Sequence, residues 1–381
     1  MGRGRVVGKG VAGAAAVLLL VAGCSSSPDG DGRRTGSPPV PSAPPAPSAS
    51  SAPPAPAEGR VRVAATLTEG LRSPWGLAEL PGGDLLVSSR DERTITRVDA
   101  PTGRRTTLGE VPGVVPGGEG GLMGLAVREG WVYAYLTSAS DNRIVRMRYG
   151  GGAGDRLGAP EPVLTGLPKG LIHNGGRIAF GPDGMLYAGT GETGRTGLAQ
   201  DKGSLGGKIL RMTPEGRPAP GNPFPDSVVY SYGHRNVQGL AWDADGRLWA
   251  SEFGQNTWDE LNLIEPGRNY GWPVVEGTAG RAGFTDPVAQ WPTDQASPSG
   301  IAYARGAIWM AGLRGERLWR IPLSGAERSG EPRAFLKDEY GRLRTVLTTA
   351  GGAGLWLVTS ETDTRGTPGP GDDRILRLEV G

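Results

Sequence analysis

Few side chains in this sequence are of the types that usually carry catalysis or bind metals. The chain has two histidines, His173 and His234, and a single cysteine, Cys24. One cysteine excludes a disulfide framework and a thiolate metal cluster, and two histidines exclude a multi-histidine metal site. Chemistry in this chain must therefore use carboxylates, arginines, backbone carbonyl oxygens and an imidazole.

His173 lies in the segment Leu171–Arg177, immediately before an asparagine and two glycines. A neutral imidazole can accept a proton near neutral pH, as general base catalysis requires. A lone histidine is more often a hydrogen-bonded structural residue, so the segment alone favours a structural role. The function of His173 therefore depends on its position in the fold.

Two other segments carry polar groups suited to an anion or a metal ion. Arg235, in Gly233–Gly239, has a planar guanidinium that suits a cofactor or substrate anion, although it could equally form a structural ion pair. The stretch Ser251–Pro273 is rich in oxygen ligands of the kind calcium prefers, but it lacks the EF-hand spacing. Gly189–Gly194 matches G-x-G-x-x-G, but no helix pattern follows it, so it does not indicate a dinucleotide site.

The composition favours many short strands over helices. Of 381 residues, 66 are glycine and 33 are proline, so about a quarter of the chain consists of residues that favour turns. The formal net charge is only +2, and no basic stripe is present. A near-neutral chain of this kind argues against nucleic acid as the main partner.

A strand–turn–strand unit, usually led by glycine, recurs along residues 60–381. The six units begin 48, 52, 63, 61 and 45 residues apart, at Gly76, Gly124, Gly176, Gly239, Gly300 and Thr345. Repeats of roughly 40–50 residues made of short strands predict a propeller. We therefore expect an all-β, six-bladed β-propeller of four-stranded antiparallel blades, with insertions in the third and fourth blades.

The propeller register predicts that polar residues converge on one mouth of the axial channel. In the third, fourth and sixth units, the residue three positions before the unit start is His173, Asn236 and Arg342, respectively. The loops that follow second strands emerge on the same face and carry Thr190–Glu192, Glu252–Gln255, Leu313–Arg314 and Ser360–Glu361. Such convergence fits a small-molecule site and favours a general base role for His173. Because neighbouring side chains alternate, we expect Arg235 and Asn236 to face the channel and His234 to face away.

The N-terminus predicts export and lipid anchoring. Residues 1–23 combine a basic start with an apolar stretch too short to span a membrane, as in a signal peptide. The stretch ends in Val21–Cys24, which resembles a bacterial lipobox, with Cys24 as the lipidated residue; the alternative is ordinary secretion with a coincidental cysteine. Residues 24–59 are rich in Ser, Ala, Gly and Pro and are expected to be a disordered linker. We predict an extracytoplasmic catalytic domain at residues 60–381, lipid-anchored to the outer face of the cell membrane.

Three segments together resemble a known enzyme family. They are residues His173–Tyr187, Tyr232–Leu240 and Ser251–Pro273. They are similar to the soluble PQQ-dependent aldose sugar dehydrogenases of the glucose/sorbosone dehydrogenase family, and the similarity extends over residues 65–380. Members of that family are six-bladed propellers, in agreement with the repeat count. The resemblance implies PQQ and calcium as cofactors and an aldose sugar as substrate.

The resemblance also implies roles for individual residues. His173 matches the general base that removes the proton from the sugar C1 hydroxyl, while hydride passes to the C5 carbonyl of PQQ. Arg235 matches an arginine near that carbonyl. Four more residues match cofactor contacts: Asn236, Gln238, Arg342 and Arg344. The carbonyl oxygens of Gly254 and Gln255 match ligands of a calcium beside the quinone, and Glu260 with the carbonyl of Tyr270 matches a second, structural calcium.

Three positions depart from the family pattern. Arg314 stands where a lysine contacts the cofactor in better-known members. Ile172 replaces an aspartate of the glucose-specific enzyme, and Glu119 replaces a substrate-facing glutamine. A broad or altered aldose specificity is therefore expected.

Three functions remain open on the sequence. The first is a quinoprotein dehydrogenase that oxidises the anomeric hydroxyl of aldoses to lactones and passes electrons to an unknown acceptor. The second is a calcium-dependent, lactonase-type hydrolase, for which the candidate ligands would be Asn236, Glu119, Glu192 and Glu252. The third is a non-enzymatic propeller that binds carbohydrate or protein at the cell surface. The joint presence of His173, Arg235, Arg342 and Arg344 favours the dehydrogenase.

Overall fold

The structure, a computed structural model, describes residues 58–150 and 155–381. The predicted signal peptide, Cys24 and the linker up to residue 57 lie outside the described residues. Within those described ranges the regular secondary structure is β-strand, apart from one 3₁₀ helix at Thr196–Ala199. No helix among them is long and apolar enough to cross a membrane.

The strands form six antiparallel sheets. Blades one to three consist of β2 (Pro74–Glu79), β3 (Leu85–Ser89), β4 (Thr94–Val98) and β5 (Arg105–Glu110); β6 (Leu122–Arg128), β7 (Trp131–Thr137), β8 (Asn142–Gly150) and β10 (Glu161–Leu167); and β11 (Ile178–Phe180), β12 (Leu186–Gly189), β13 (Lys208–Met212) and β14 (Val229–Tyr232). Blades four to six consist of β15 (Val237–Trp242), β16 (Leu248–Glu252), β17 (Trp258–Ile264) and β18 (Ala289–Pro292); β19 (Pro298–Ala304), β20 (Ala307–Gly312), β21 (Arg317–Ser324) and β23 (Arg333–Phe335); and β24 (Leu343–Thr348), β25 (Gly354–Thr359), β26 (Ile375–Val380) and β1 (Val61–Thr68). The short strands β9 (Arg156–Leu157) and β22 (Glu327–Arg328) extend blades two and five.

The innermost strands of the blades form a closed ring. The strands β2, β6, β11, β15, β19 and β24 each contact the next, and β24 contacts β2 again. This closure confirms the predicted all-β, six-bladed propeller with four-stranded antiparallel blades. It leaves one axial channel, and the segments that precede the innermost strands surround one end of it.

The glycine that leads most repeats allows neighbouring innermost strands to approach closely. A Cβ atom added at Gly124 would lie 2.2 Å from the carbonyl oxygen of Gly176, and one added at Gly239 would lie 2.5 Å from that of Ser299. Non-bonded carbon and oxygen atoms do not approach this closely, so only glycine fits at these positions without a backbone shift. The recurring glycine is therefore a packing requirement of the ring.

The hydrophobic core is divided among the junctions between blades. The buried apolar residues of the described chain form six clusters; five are shared by two neighbouring blades, and the one between blades two and three also includes Trp75 of blade one. For example, Trp249 of blade four packs with Ile308 and Met310 of blade five. Each blade is thus stabilised by its two neighbours, and the ring is the unit that buries the apolar surface.

The two ends of the described chain close the sixth blade together. The N-terminal strand β1 pairs antiparallel with β26, from Val61 opposite Val380 to Thr68 opposite Ile375. The repeat count located the sixth unit at Thr345 but did not identify its outermost strand. That strand comes from the opposite end of the described chain, which a local repeat pattern does not reveal.

Candidate functional site

A cavity of about 470 Å³ lies at the end of the propeller where the innermost strands begin. Segments that precede β11, β15 and β24 and loops that follow β16, β20 and β25 contribute its lining. The structure brings together ten of the residues singled out from the sequence: Glu119, His173, Arg235, Asn236, Gln238, Gly254, Gln255, Arg314, Arg342 and Arg344. His234 faces away, fully buried, with hydrogen bonds to Ser231 and Glu252.

His173 is held firmly at the cavity wall. Its Nδ1 hydrogen-bonds a carboxylate oxygen of Glu192, which is 1% exposed. Its backbone N–H donates to Oε2 of Glu119 at 2.7 Å. A carboxylate accepts hydrogen bonds, so this contact favours the tautomer that carries the ring proton on Nδ1, and Nε2 makes no hydrogen bond to any residue that the structure describes. The backbone of His173 adopts a φ of 52°, a left-handed conformation that is uncommon for a residue with a side chain.

A paired arginine cluster occupies another part of the wall. Nη2 of Arg342 and Nη2 of Arg344 donate to the same oxygen of Asp363, at 3.0 and 2.9 Å. Burial by itself would raise the pKa of Asp363, but the positive charges of Arg344 and Arg342 outweigh it and hold the pKa well below its usual range. Burial lowers the pKa of Arg344 to about 10. The cluster is thus a preorganised cationic surface.

Arg235 and Asn236 leave donors without partners at the cavity. Nη1 of Arg235 donates to the carbonyl oxygen of Phe253 at 3.2 Å, and burial lowers the pKa of Arg235. Oδ1 of Asn236 accepts from the backbone N–H of Gly175 at 3.0 Å. Among the described residues, Nε of Arg235, Nδ2 of Asn236 and Nε of Arg342 are buried without a hydrogen-bond partner. Unsatisfied buried donors that line one cavity indicate that an acceptor-rich ligand belongs there.

The cavity is strongly cationic. Six arginines and three carboxylates line it, which leaves an excess of three positive charges. The sequence analysis missed six of its lining residues: Trp75, Arg90, Thr293, Ser297, Asp363 and Arg365. Arg90 could have been found, because it follows the second strand of blade one in the register that directed attention to Thr190–Glu192. Asp363 and Arg365 follow Ser360–Glu361 in the β25–β26 loop, beyond the positions that the register singled out.

The turn after β16 offers backbone oxygens at the cavity. The N–H of Gly254 donates to Oδ1 of Asp259 at 2.9 Å, and that of Gln255 donates to Oε1 of Glu276 at 2.8 Å. Across the part of the chain that the structure describes, neither carbonyl of these two residues accepts a hydrogen bond, so both oxygens are available to a hard cation. No group of three or more His, Cys, Asp or Glu side chains in residues 58–150 and 155–381 is arranged to hold a metal.

Glu260 and Tyr270 do not reach the main cavity. They line a separate space of about 10 Å³, together with Glu252 and Glu276. Burial and the charge of Glu252 raise the pKa of Glu260 to about 8. Nδ2 of Asn262 donates to both Glu252 and Glu260, at 3.0 and 3.1 Å. The space is about the size of one water molecule, and Arg235 lines it together with the three carboxylates.

Comparison with known proteins identifies the family. The model of the glucose/sorbosone dehydrogenase family matches residues 71–368. The chain belongs to this family. The match confirms the resemblance predicted from the three sequence segments, and it identifies the protein as an oxidoreductase of the sugar dehydrogenase class.

Individual relatives agree with that assignment. The chain is similar to the PQQ-bound form of aldose sugar dehydrogenase from Streptomyces coelicolor, with 71% identity, a TM-score of 0.84, and coverage of 86% of this chain and 100% of that chain. It is 28% identical to the aldose sugar dehydrogenase of Escherichia coli K12, over 81% of this chain and 92% of that protein. It is 32% identical to quinoprotein glucose dehydrogenase B of Acinetobacter calcoaceticus, over 56% of this chain but only 53% of that protein.

Proposed function

We propose that this protein is a PQQ-dependent dehydrogenase that oxidises the C1 hydroxyl of aldose sugars to lactones. In that reaction the sugar loses a hydride from C1 and a proton from the C1 hydroxyl, and the oxidant accepts the electron pair. The observation that carries the proposal is the His173–Glu192 pair at the wall of a strongly cationic cavity. The family assignment and the PQQ-bound relative from Streptomyces coelicolor support it.

The residues of the cavity fit a flat quinone with several carboxylates. The cavity has room for a molecule of that size, at about 470 Å³, and an excess of three positive charges. The unpartnered donors of Arg235, Asn236 and Arg342 match carbonyl and carboxylate acceptors. When bound, PQQ supplies a two-electron oxidant that no protein side chain can replace. Arg342 and Arg344 would hold its carboxylates, with Asn236, Gln238 and Arg314 as further contacts.

His173 is proposed to move the proton. Nε2 accepts the proton of the C1 hydroxyl, and the imidazole thereby gains a positive charge. The buried carboxylate of Glu192 fixes the ring through Nδ1 and stabilises that charge. Arg235, on the same cavity wall, would stabilise negative charge that develops on the oxidant.

Calcium is proposed as the second cofactor. The free carbonyl oxygens of Gly254 and Gln255 are hard donors of the type that calcium prefers, and they would hold it beside the main cavity. There it would supply Lewis acid polarisation. A second calcium would be held by Glu260 and the carbonyl of Tyr270.

The test is reconstitution of the purified protein with PQQ and calcium, followed by dye reduction with aldoses. The wild type is expected to turn over, whereas His173→Gln should lower kcat by at least about 100-fold with little change in PQQ affinity. Unchanged turnover would remove His173 from the mechanism. Calcium removal by a chelator should abolish turnover, and readdition should restore it.

The two alternative functions receive less support. A lactonase-type site needs free carboxylates, but Glu192 pairs with His173, Glu252 with His234, and Glu119 with Arg365. A binding-only propeller would need no buried base beside unpartnered donors. The same dye-reduction assay separates these possibilities, because neither a hydrolase nor a binding protein reduces the dye when a sugar is added.

We propose a substrate range that is not restricted to glucose. Glu119 is proposed to contact the sugar, and its carboxylate also bonds the backbone of His173 and the guanidinium of Arg365. Turnover should be compared for glucose, galactose, arabinose and disaccharides. Activity on glucose alone would contradict this range.

We propose that the protein is exported and anchored through a lipid on Cys24. The support is the order of a basic start, a short apolar stretch and the only cysteine of the chain. Cys24→Ala should move the protein from the membrane fraction to the soluble fraction and abolish lipid labelling. Continued lipid labelling of this variant would refute the assignment.

A further inference from the structure

Arg177 joins four blades at the centre of the propeller. It directly precedes β11, and its Nε donates to the carbonyl oxygen of Gln238 in β15 at 2.8 Å. Its Nη2 donates to Oγ1 of Thr345 in β24 at 3.2 Å. Its guanidinium lies 4.4 Å from the ring centre of Trp75 in β2. Contacts to three other innermost strands place this side chain in the axial channel.

The charge of Arg177 has no counterion among the residues that the structure describes. All of its contacts in the described part of the chain are to neutral groups, namely a carbonyl, a hydroxyl and an indole ring. The charge of Arg344 also acts on Arg177, and the Arg344 guanidinium lies 5.6 Å from the ring centre of the same tryptophan. Burial and the charge of Arg344 lower the pKa of Arg177 to about 9, so the group remains charged at neutral pH. An uncompensated buried cation is costly, and an anion nearby would relieve the cost.

The wall of the main cavity separates this cation from the proposed cofactor. Arg177 contacts Trp75 and Gln238, and Arg344 lies against the same Trp75 ring. All three of these neighbours line the cavity. Arg177 itself is buried and is not part of the lining. An anion in the cavity would therefore feel its charge across a wall about one side chain thick, where solvent screening is weak.

We propose that Arg177 is a positioning residue for the cofactor: its charge strengthens the binding of anionic PQQ without touching it. This inference rests on the proposed function, since it assumes that PQQ occupies the main cavity. The unpaired cation then raises the free energy of the ligand-free folded protein. Binding of anionic PQQ relieves part of this destabilisation, so the charge of Arg177 contributes to the free energy of binding. A purely structural cross-link between blades would have no such link to ligand binding.

The experiment measures PQQ affinity by calorimetry, and the PQQ-induced rise in Tm, for four calcium-loaded proteins. These are the wild type, Arg177→Lys, Arg177→Gln and Arg320→Gln. Arg320 is the matched control, because it is also buried and lies 5.7 Å from the ring centre of Trp309, but Trp309, unlike Trp75, does not line the main cavity. Arg177→Lys keeps the charge and Arg177→Gln removes it.

We expect Arg177→Gln to weaken PQQ binding by about tenfold or more, and to reduce the Tm rise accordingly. Arg177→Lys should bind PQQ within about threefold of the wild type, and Arg320→Gln should bind it normally even if its own Tm is lower. Equal PQQ affinity in Arg177→Gln and the wild type would overturn the inference. A wild type that does not bind PQQ would overturn the proposed function as well.

A second measurement applies if Arg177→Gln does not fold. The amine of a buried lysine loses its proton at lower pH than an exposed one, so Arg177→Lys can be discharged without unfolding it. Its PQQ affinity should fall by about tenfold between pH 7 and pH 8.5, because this window lies below the pKa of about 9 at which the wild-type Arg177 loses its charge, and the affinity of the wild type should change less. Parallel pH profiles for the two proteins would contradict a role for this charge.

Discussion

At the scale of residues, the proposed chemistry depends on one imidazole whose surroundings fix its proton. The carboxylate of Glu192 is almost fully buried and bonds Nδ1 of His173. Its second oxygen, Oε2, is buried without a partner among the described residues. Because its side chain bonds only His173 among the described residues, we infer that the carboxylate orients the imidazole and offsets the positive charge that the ring gains. Glu192 is thus a positioning residue that acts through His173.

We expect Glu192→Gln to lower kcat by about 10- to 100-fold and to leave PQQ affinity unchanged. The neutral amide can still orient the imidazole, but it cannot offset the positive charge of the protonated ring. Steady-state kinetics and PQQ titration check this expectation. Glu192→Asp, which keeps the charge, is the control and should retain more activity. Equal activity of the Gln variant and the wild type would exclude a charge effect.

At the scale of elements, the loop between β25 and β26 is organised by one buried acid. Asp363 accepts hydrogen bonds from Arg342 and Arg344, and its Oδ1 accepts the backbone N–H of Arg365. Asp363 therefore positions the side chains of two cavity arginines and the backbone of a third, Arg365. Losing it would leave two buried guanidinium groups without their counterion.

Asp363→Asn should lower the free energy of unfolding by about 3 kcal/mol at pH 7. The pKa of Asp363 in the folded protein lies below the ordinary value of 3.8, so its pairing stabilises the protein above pH 3.8. This stabilisation is lost as pH falls towards the folded-state pKa, so the difference from the wild type should shrink in acid. Urea unfolding at pH 7 and near pH 3 tests it. A difference that does not depend on pH would contradict the assigned ion pair.

The leading glycine of the innermost strands gives a second prediction at this scale. Gly124→Ala should lower the free energy of unfolding by about 2 kcal/mol, because the new methyl group meets the carbonyl of Gly176 at 2.2 Å. Gly82→Ala is the matched control, since a Cβ there has no neighbour within 4 Å and the position needs no positive φ. Denaturant unfolding of both variants is the measurement. Equal stability of the two would show that the strands can separate at no cost.

At the scale of the whole molecule, stability depends on ring closure. The hydrophobic clusters lie between blades, and the last blade is completed by β1 from the other end of the described chain. Opening the ring at this point exposes the paired edge of β26 and part of the cluster around it. We therefore expect the propeller to unfold as one cooperative unit.

Deletion of residues 1–69, which removes β1, should lower Tm and promote aggregation through the exposed edge of β26. Deletion of residues 1–57 alone is the control and should leave Tm unchanged, because β1 begins at Val61. Scanning calorimetry and light scattering measure both effects. Identical melting of the two truncated proteins would mean that β1 contributes nothing to closure.

The sequence alone determined the architecture and the family of this protein. Six repeats with strand-length apolar runs and turn glycines require many short strands, and their number sets the number of blades. The motif segments around His173, Arg235 and Gly254 were sufficient for the family resemblance. These features are local, because a strand, a turn and a motif are each encoded within a few consecutive residues.

Only the tertiary structure decided which distant groups meet. The partnership of His173 with Glu192, the shared carboxylate of Asp363, the uncompensated charge of Arg177 and the closure by β1 all join separate segments of the chain. Such contacts arise when the ring closes and brings segments from different blades to one axis. Repeat register predicts the face on which a residue emerges, but the hydrogen bonds, ion pairs and burial at that face depend on side-chain packing across blades.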